Sequence, residues 1–82
     1  MFKLTITNND GEATAAPIYE PSEDMRRLLL FKYGIDDKQV EFATQITENN
    51  PGIPYDLHIQ DEQARIIWTA RLIKIAPLAI VR

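Results

Sequence analysis

The chain of 82 residues, 9.4 kDa, has room for one domain, because half of it could not enclose a core without metal or disulfides. It contains no cysteine, which excludes disulfides and thiolate metal sites, and its 45% hydrophobic and 26% charged residues separate it from disordered sequences. A net charge of −3 and an isoelectric point near 5.0 count against wholesale binding of phosphate backbones.

The opening stretch alternates Phe2, Leu4 and Ile6 with Lys3, Thr5 and Thr7, which predicts a half-buried strand over 1–7 instead of the continuous apolar run of a secretory signal. Asn8-Asn9-Asp10-Gly11 supplies a tight turn. Residues 13–19 are then expected to return as a second strand, which Pro17 and Pro21 confine to a sheet edge. Ser22 is placed to cap a helix over 23–33, with Glu23 and Asp24 in its first turn. Gly34 suits the left-handed position after that helix, Ile35 is placed to fold back onto Leu30, and the run Leu28–Phe31 predicts burial against a sheet.

Two patterns coincide over 36–48. Asp36 and Gln39 resemble a capping box, and Val40, Phe42, Ala43 and Ile46 share one arc of a helical wheel. Val40, Phe42, Thr44 and Ile46 also alternate with Glu41, Ala43, Gln45 and Thr47, and β-branched content favours a strand. The next segment tips the balance. After the turn cluster 48–52, Ile53, Tyr55, Leu57 and Ile59 alternate with Pro54, Asp56, His58 and Gln60, and the nearest partner for such a strand is 40–47, so a hairpin is predicted. Asp61-Glu62-Gln63 makes a reversal into a last strand over 64–75. Its Ile66, Trp68, Ala70 and Leu72 are expected inward, and Arg65, Ile67, Thr69, Arg71, Ile73 and Ile75 outward. Pro77 ends or bends this strand, and the apolar tail 78–82 would add an edge pairing or fold over the outward face. Arg71, Lys74 and Pro77 break region 64–82 into runs far short of a bilayer span, so neither a transmembrane helix nor a membrane partner is expected, and a cytoplasmic location is.

These elements add up to one α+β domain over 1–82, a ββαβββ-type sheet, antiparallel or mixed, with one helix packed on one face. In its succession of elements alone the order resembles ubiquitin-like β-grasp folds.

The chemical inventory is sparse. Ser22 is the only serine, already assigned to a cap, and His58 the only histidine, so a nucleophile–base pair would need both to leave their expected roles. Asp56 and His58 share a strand face near Asp61 and Glu62, an arrangement that fits a solvated polar face better than a cation site or an acid–base pair. The three glycines, 11, 34 and 52, lie too far apart for a phosphate-binding loop. No enzyme activity, cofactor or metal is therefore expected.

Charge is more informative. Residues 1–62 hold all twelve acids and five bases, a balance of −7, and residues 63–82 hold four bases and no acid, a balance of +4. One account is that the basic strand neutralises acidic neighbours within its own sheet. The other is that isoleucines 67, 73 and 75, rimmed by Arg65 and Arg71, form a protein interface, since one helix leaves a sheet face bare. The expected function is a small non-enzymatic protein-binding module, an adaptor, regulator or inhibitor of the kind phages and mobile elements carry. It would dock on a larger protein through a sheet face or edge, with homodimerisation as a further form. The alternative is a nucleic-acid-associated accessory protein using Arg65, Arg71, Lys74, Arg26 and Arg27.

Overall fold

A computed structural model describes residues 1–14 and 16–75. Four strands, β1 (Phe2–Asn8), β2 (Ile18–Glu20), β3 (Tyr55–Gln60) and β4 (Ile66–Lys74), form one sheet in the order β2-β1-β4-β3 with every neighbouring pair antiparallel. The alternation of β1 does what its sequence dictates. Phe2, Leu4 and Ile6 are buried, and across the ladder Leu4 faces Leu72 and Ile6 faces Ala70, both buried as well. The turn after β1 is an Asx-type turn in which Asn8 Oδ1 accepts the N–H groups of Asp10 (2.9 Å) and Glu12 (3.0 Å), and Gly11 takes φ +81°. The return strand is shorter than the 13–19 expected. Among the described residues Ala13 makes one isolated bridge to Thr7, and the next paired residue is Ile18, after Pro17, which has no N–H to donate to a ladder.

Helix α1 (Ser22–Arg27) starts at Pro21, whose carbonyl accepts the Met25 N–H at 2.9 Å. Ser22 is not the cap: its hydroxyl donates instead to Glu48 Oε1 at 3.1 Å, tying the start of α1 to the end of the second helix. A π-helical turn (Leu28–Lys32) continues α1, with the Tyr33 N–H reaching back to the Leu28 carbonyl (3.3 Å) and the Ile35 N–H to the Leu29 carbonyl (3.0 Å) around Gly34 at φ +64°. The apolar run here is less buried than expected, because four consecutive side chains cannot all face one side of a helix. Met25 and Leu29 are fully buried, Leu28 and Leu30 half-buried, and Phe31 is 82% exposed.

The main correction concerns 40–47, which is helix and not strand. Helix α2 spans Asp37–Asn49, and Asp36 caps it by accepting the Lys38 N–H at 3.1 Å. Its buried arc is Val40, Ala43, Thr44 and Thr47, a spacing of three and four. The threonine hydroxyls, which would need partners in an apolar interior, donate to carbonyls one turn back: Thr44 to Val40 at 2.9 Å and Thr47 to Ala43 at 2.8 Å. The helix penalty for β-branched residues is only about 0.7 kcal/mol each, so a good cap and a buried face override it. The fold is thus an α+β arrangement of a four-stranded antiparallel sheet and two helices. The ββαβββ order, its single helix, and with them the likeness to β-grasp element order, do not hold.

Both helices lie on one face of the sheet, where Met25, Leu29, Ile35, Val40 and Ala43 meet Phe2, Leu4, Ile6, Leu57, Ala70 and Leu72 in one hydrophobic cluster. Trp68, expected in that core, is 37% exposed, and Ile66 is 42% exposed. Asn8 and Ile59 flank Trp68 at the end of the sheet near the Asn8–Gly11 turn. The strand pairing slips between Ile59 and Gln60, whose partners are Trp68 and Ile66, so Ile67 is an extra residue that breaks the alternation of β4. No helix among the described residues is long and apolar enough to cross a membrane. The tail 78–82, expected to pair at an edge or fold over the outward face, lies outside the described residues.

Candidate functional site

With α2 a helix, β3 has a partner on one side only among the described residues. Which backbone groups its free side presents follows from the register. The Ile75 N–H donates to the Met1 carbonyl at 3.0 Å, so Ile75, Ile73, Arg71 and Thr69 direct their backbone groups to β1, and Leu72, Ala70 and Trp68 direct theirs to β3. Those three pair with Tyr55, Leu57 and Ile59, and the Asp61 N–H continues the same parity by donating to the Arg65 carbonyl at 2.9 Å. Asp56, His58 and Gln60 therefore turn their N–H and C=O groups away from the sheet. Among the described residues no hydrogen bond engages them. The free edge runs for about 20 Å at 3.3 Å per residue.

Alongside this edge, Lys38, Gln39 and Phe42 of α2 and Tyr55–His58 with Gln60 of β3 line an open groove of about 490 Å³. Phe42 sits at the border of the buried arc of α2 and remains 53% exposed, its ring edge-on to Tyr55 with centroids 5.8 Å apart. Lys38 makes no ion pair among the described residues. The Asp56 carboxylate of the same lining is already neutralised: Arg71 reaches it in a fork, Nε to Oδ1 at 2.9 Å and Nη2 to Oδ2 at 3.1 Å. That hydrogen bonding holds the Asp56 carboxyl below its ordinary value against a smaller opposing effect of partial desolvation, and it raises Arg71. The groove combines exposed aromatic surface, unpaired main-chain groups and one free cation.

The six residues singled out in the sequence are placed along the other, helix-free face and its margins. Thr69, Arg71 and Ile73 lie on central strand β4, where Arg71 stands between Thr5 and Asp56, Thr69 between Thr7 and His58, and Ile73 beside Lys3. Ile67 is at the bulge, half-buried, about 20 Å along the strand from Ile73, and Ile75 follows the end of β4. Arg65 precedes β4 and is held by Asp61, Nε to Oδ2 at 3.0 Å, with Ala64 at φ +62° in the intervening turn. The structure thus groups Thr69, Arg71 and Ile73 and sets Arg65, Ile67 and Ile75 apart from them. Arg71 is thus bonded to an acid of the neighbouring strand, as the charge-neutralising account supposes, whereas the partner of Arg65 is Asp61 in the turn before its own strand. Of the cations in the nucleic-acid alternative, Arg27 stands 3.9 Å from Asp24 and Lys74 lies over the Phe2 ring, 4.9 Å from its centroid.

Ser22 stands in the helical layer, whereas the His58 ring lies on the opposite face, its Nδ1 3.4 Å from Thr69 Oγ1. The Asp61 carboxylate accepts the N–H groups of Arg65 and Gln63, both at 2.9 Å, and these, the Arg65 bond foremost, lower its pKa. Among the described residues no group of three potential metal ligands converges. A smaller cavity of about 210 Å³ lies at the uncovered end of the core between Ile6, Thr14, Tyr33 and Trp68.

The sequence flagged β4 and missed the β3 edge, although the signal was present in Asp36 and Gln39: taking 36–48 as helix leaves 53–60 without its hairpin partner. Comparison with known proteins found no matching family model, no similar curated protein and no similar solved structure.

Proposed function

We propose that this chain is a protein-binding module that docks by strand addition, receiving an extended segment of another polypeptide along the free edge of β3 and into the groove beside α2. The observation that carries this reading is the unpaired row Asp56, His58 and Gln60 next to the exposed Phe42–Tyr55 pair. Edges are ordinarily shielded by proline, bulges or brevity, and an unshielded one is a template for another strand. Main-chain hydrogen bonds would supply about 0.5–1.5 kcal/mol each, and the aromatic pair would anchor an apolar side chain of the added strand. Binding, not catalysis, is the work the site's chemistry suits, since its one carboxylate is already bonded to Arg71, its one histidine has a hydroxyl for a neighbour, and Lys38 stands without an acid–base partner among the described residues.

Affinity capture from a lysate of the source cells, compared across variants, tests the reading. The expected result is a set of proteins retained by the wild-type chain and by Ile67→Ser on the open face, but lost from Phe42→Asp and His58→Pro. Retention of the same proteins by all four chains would overturn it, and loss only from an Arg71→Glu, Ile73→Ser double variant would move the interface to the face of β4.

A further inference from the structure

We propose that a second copy of this chain occupies the β3 edge, so that two sheets join across a two-fold axis through His58; the proposal rests on the docking reading above and names its resident partner. The geometry is self-complementary. An antiparallel pair forms narrow hydrogen-bonded couples only between residues that both direct their backbone groups across the gap, and on β3 these are Asp56, His58 and Gln60. A two-fold axis through His58 sets His58 opposite itself and Asp56 opposite Gln60 twice, which engages every outward residue of both copies in about six main-chain hydrogen bonds. Neighbouring symmetric registers do worse. With the axis at Leu57, Gln60 would face Pro54, which has no N–H; with the axis at Ile59, Asp56 would face Glu62, a like-charge pair. Sequence and charge select the His58 register.

The helical layer agrees with it. Lys38 and Phe42 are one turn apart on α2, both lining the groove along this edge. The two-fold axis runs the α2 helices antiparallel above the joined strands and sets Lys38 of each copy towards the Phe42 ring of the other. There the lysine stem covers apolar surface and its ammonium meets an aromatic face. Both features the monomer leaves unexplained, a half-exposed phenylalanine and a lysine without an ion pair, are thereby used. Among the described residues the joined dimer has only the short β2 strands at its edges, so mutual capping removes the aggregation hazard of an open β3. An incoming partner strand would have to displace the second copy.

Sedimentation equilibrium of the full chain over a dilution series tests the proposal. The expected result is a reversible dimer that His58→Pro and Phe42→Asp each weaken by about a hundredfold or more, because a symmetric interface feels each substitution twice. His58→Lys, an exposed substitution that places two ammonium groups at the axis, gives the same result should the proline variant fail to fold. A wild-type chain that stays monomeric at the highest concentration reached, or a dimer indifferent to these substitutions, would overturn the second copy. If capture of another protein remained sensitive to His58→Pro in that monomer, the docking reading would stand alone; insensitivity of both would remove the two together.

Discussion

At one edge of the sheet β2 offers three residues between Pro17 and Pro21, while at the other β3 offers six residues with no proline among them. The β2 edge is closed in two further ways: the chain leaves it directly for α1, and its exposed Tyr19 takes up Lys3, whose ammonium lies 5.9 Å from the ring centroid. Among the described residues the β3 edge has none of these devices. The irregularity in its pairing belongs to β4, on the inner side, and the nearest helical surface shows an exposed aromatic ring. A small sheet with one shielded and one unshielded edge has a direction in which it can grow.

The largest effect that sharpens this contrast comes from moving proline by one position. Leu57→Pro removes an N–H directed to β4 together with a buried side chain, and a loss of about 3 kcal/mol or more in urea unfolding is expected. His58→Pro removes an N–H that bonds nothing among the described residues, and the stability of a dilute sample should change by less than about 1 kcal/mol. Equal losses would mean that the assigned backbone directions are reversed or that the edge is covered. Next in size, Phe42→Ala should cost the fold about 1 kcal/mol or less because the ring is already half in water, yet abolish docking; a larger loss of stability would make Phe42 a core residue.

The smallest expected effect is in the pH dependence. The folded-state pKa of Asp56 is depressed by Arg71, so the pair contributes stability above the ordinary aspartate range near 4, and that contribution is lost as pH falls through the lowered value. Both side chains are substantially exposed, which limits the contribution to less than about 1 kcal/mol. Asp56→Asn should therefore lower stability at neutral pH slightly, by less than about 1 kcal/mol, leave it unchanged in acid, and so flatten the acid limb of the urea midpoint by the same small amount. A steep change at neutral pH would show that the pair does more on this face than neutralise itself.

Strands β1, β3 and β4 were legible because period-two alternation is local and strong: Leu4, Leu57 and Leu72 are buried where the pattern puts them. The α2 segment was not, because over seven residues a period of two and a period of 3.6 share several positions, and Val40 satisfies both. What separates them is non-local, namely the apolar surface that Val40, Ala43 and Thr47 meet, and the carbonyls available to threonine hydroxyls inside a helix. That one misreading also hid the candidate site. A strand at 40–47 would have capped β3, and no feature of 55–60 by itself reveals whether it stands at an edge, since strand order is fixed by the pairing of β4 with β1, whose partners lie far apart in the sequence, from Asn8 with Trp68 to Phe2 with Lys74. Trp68 and Phe31 were misplaced for a related reason: alternation and helical spacing give the direction of a side chain, not how far the opposing layer extends over it.

Residue-resolved amide hydrogen exchange along β3, recorded at low and high protein concentration, tests the open edge most directly. The amides of Leu57 and Ile59 should be protected at both concentrations, and those of Asp56, His58 and Gln60 should exchange freely when dilute and become protected as copies associate. Protection of the His58 amide equal to that of Leu57 in the dilute sample would contradict the account, because it would show that the edge is already covered within a single chain.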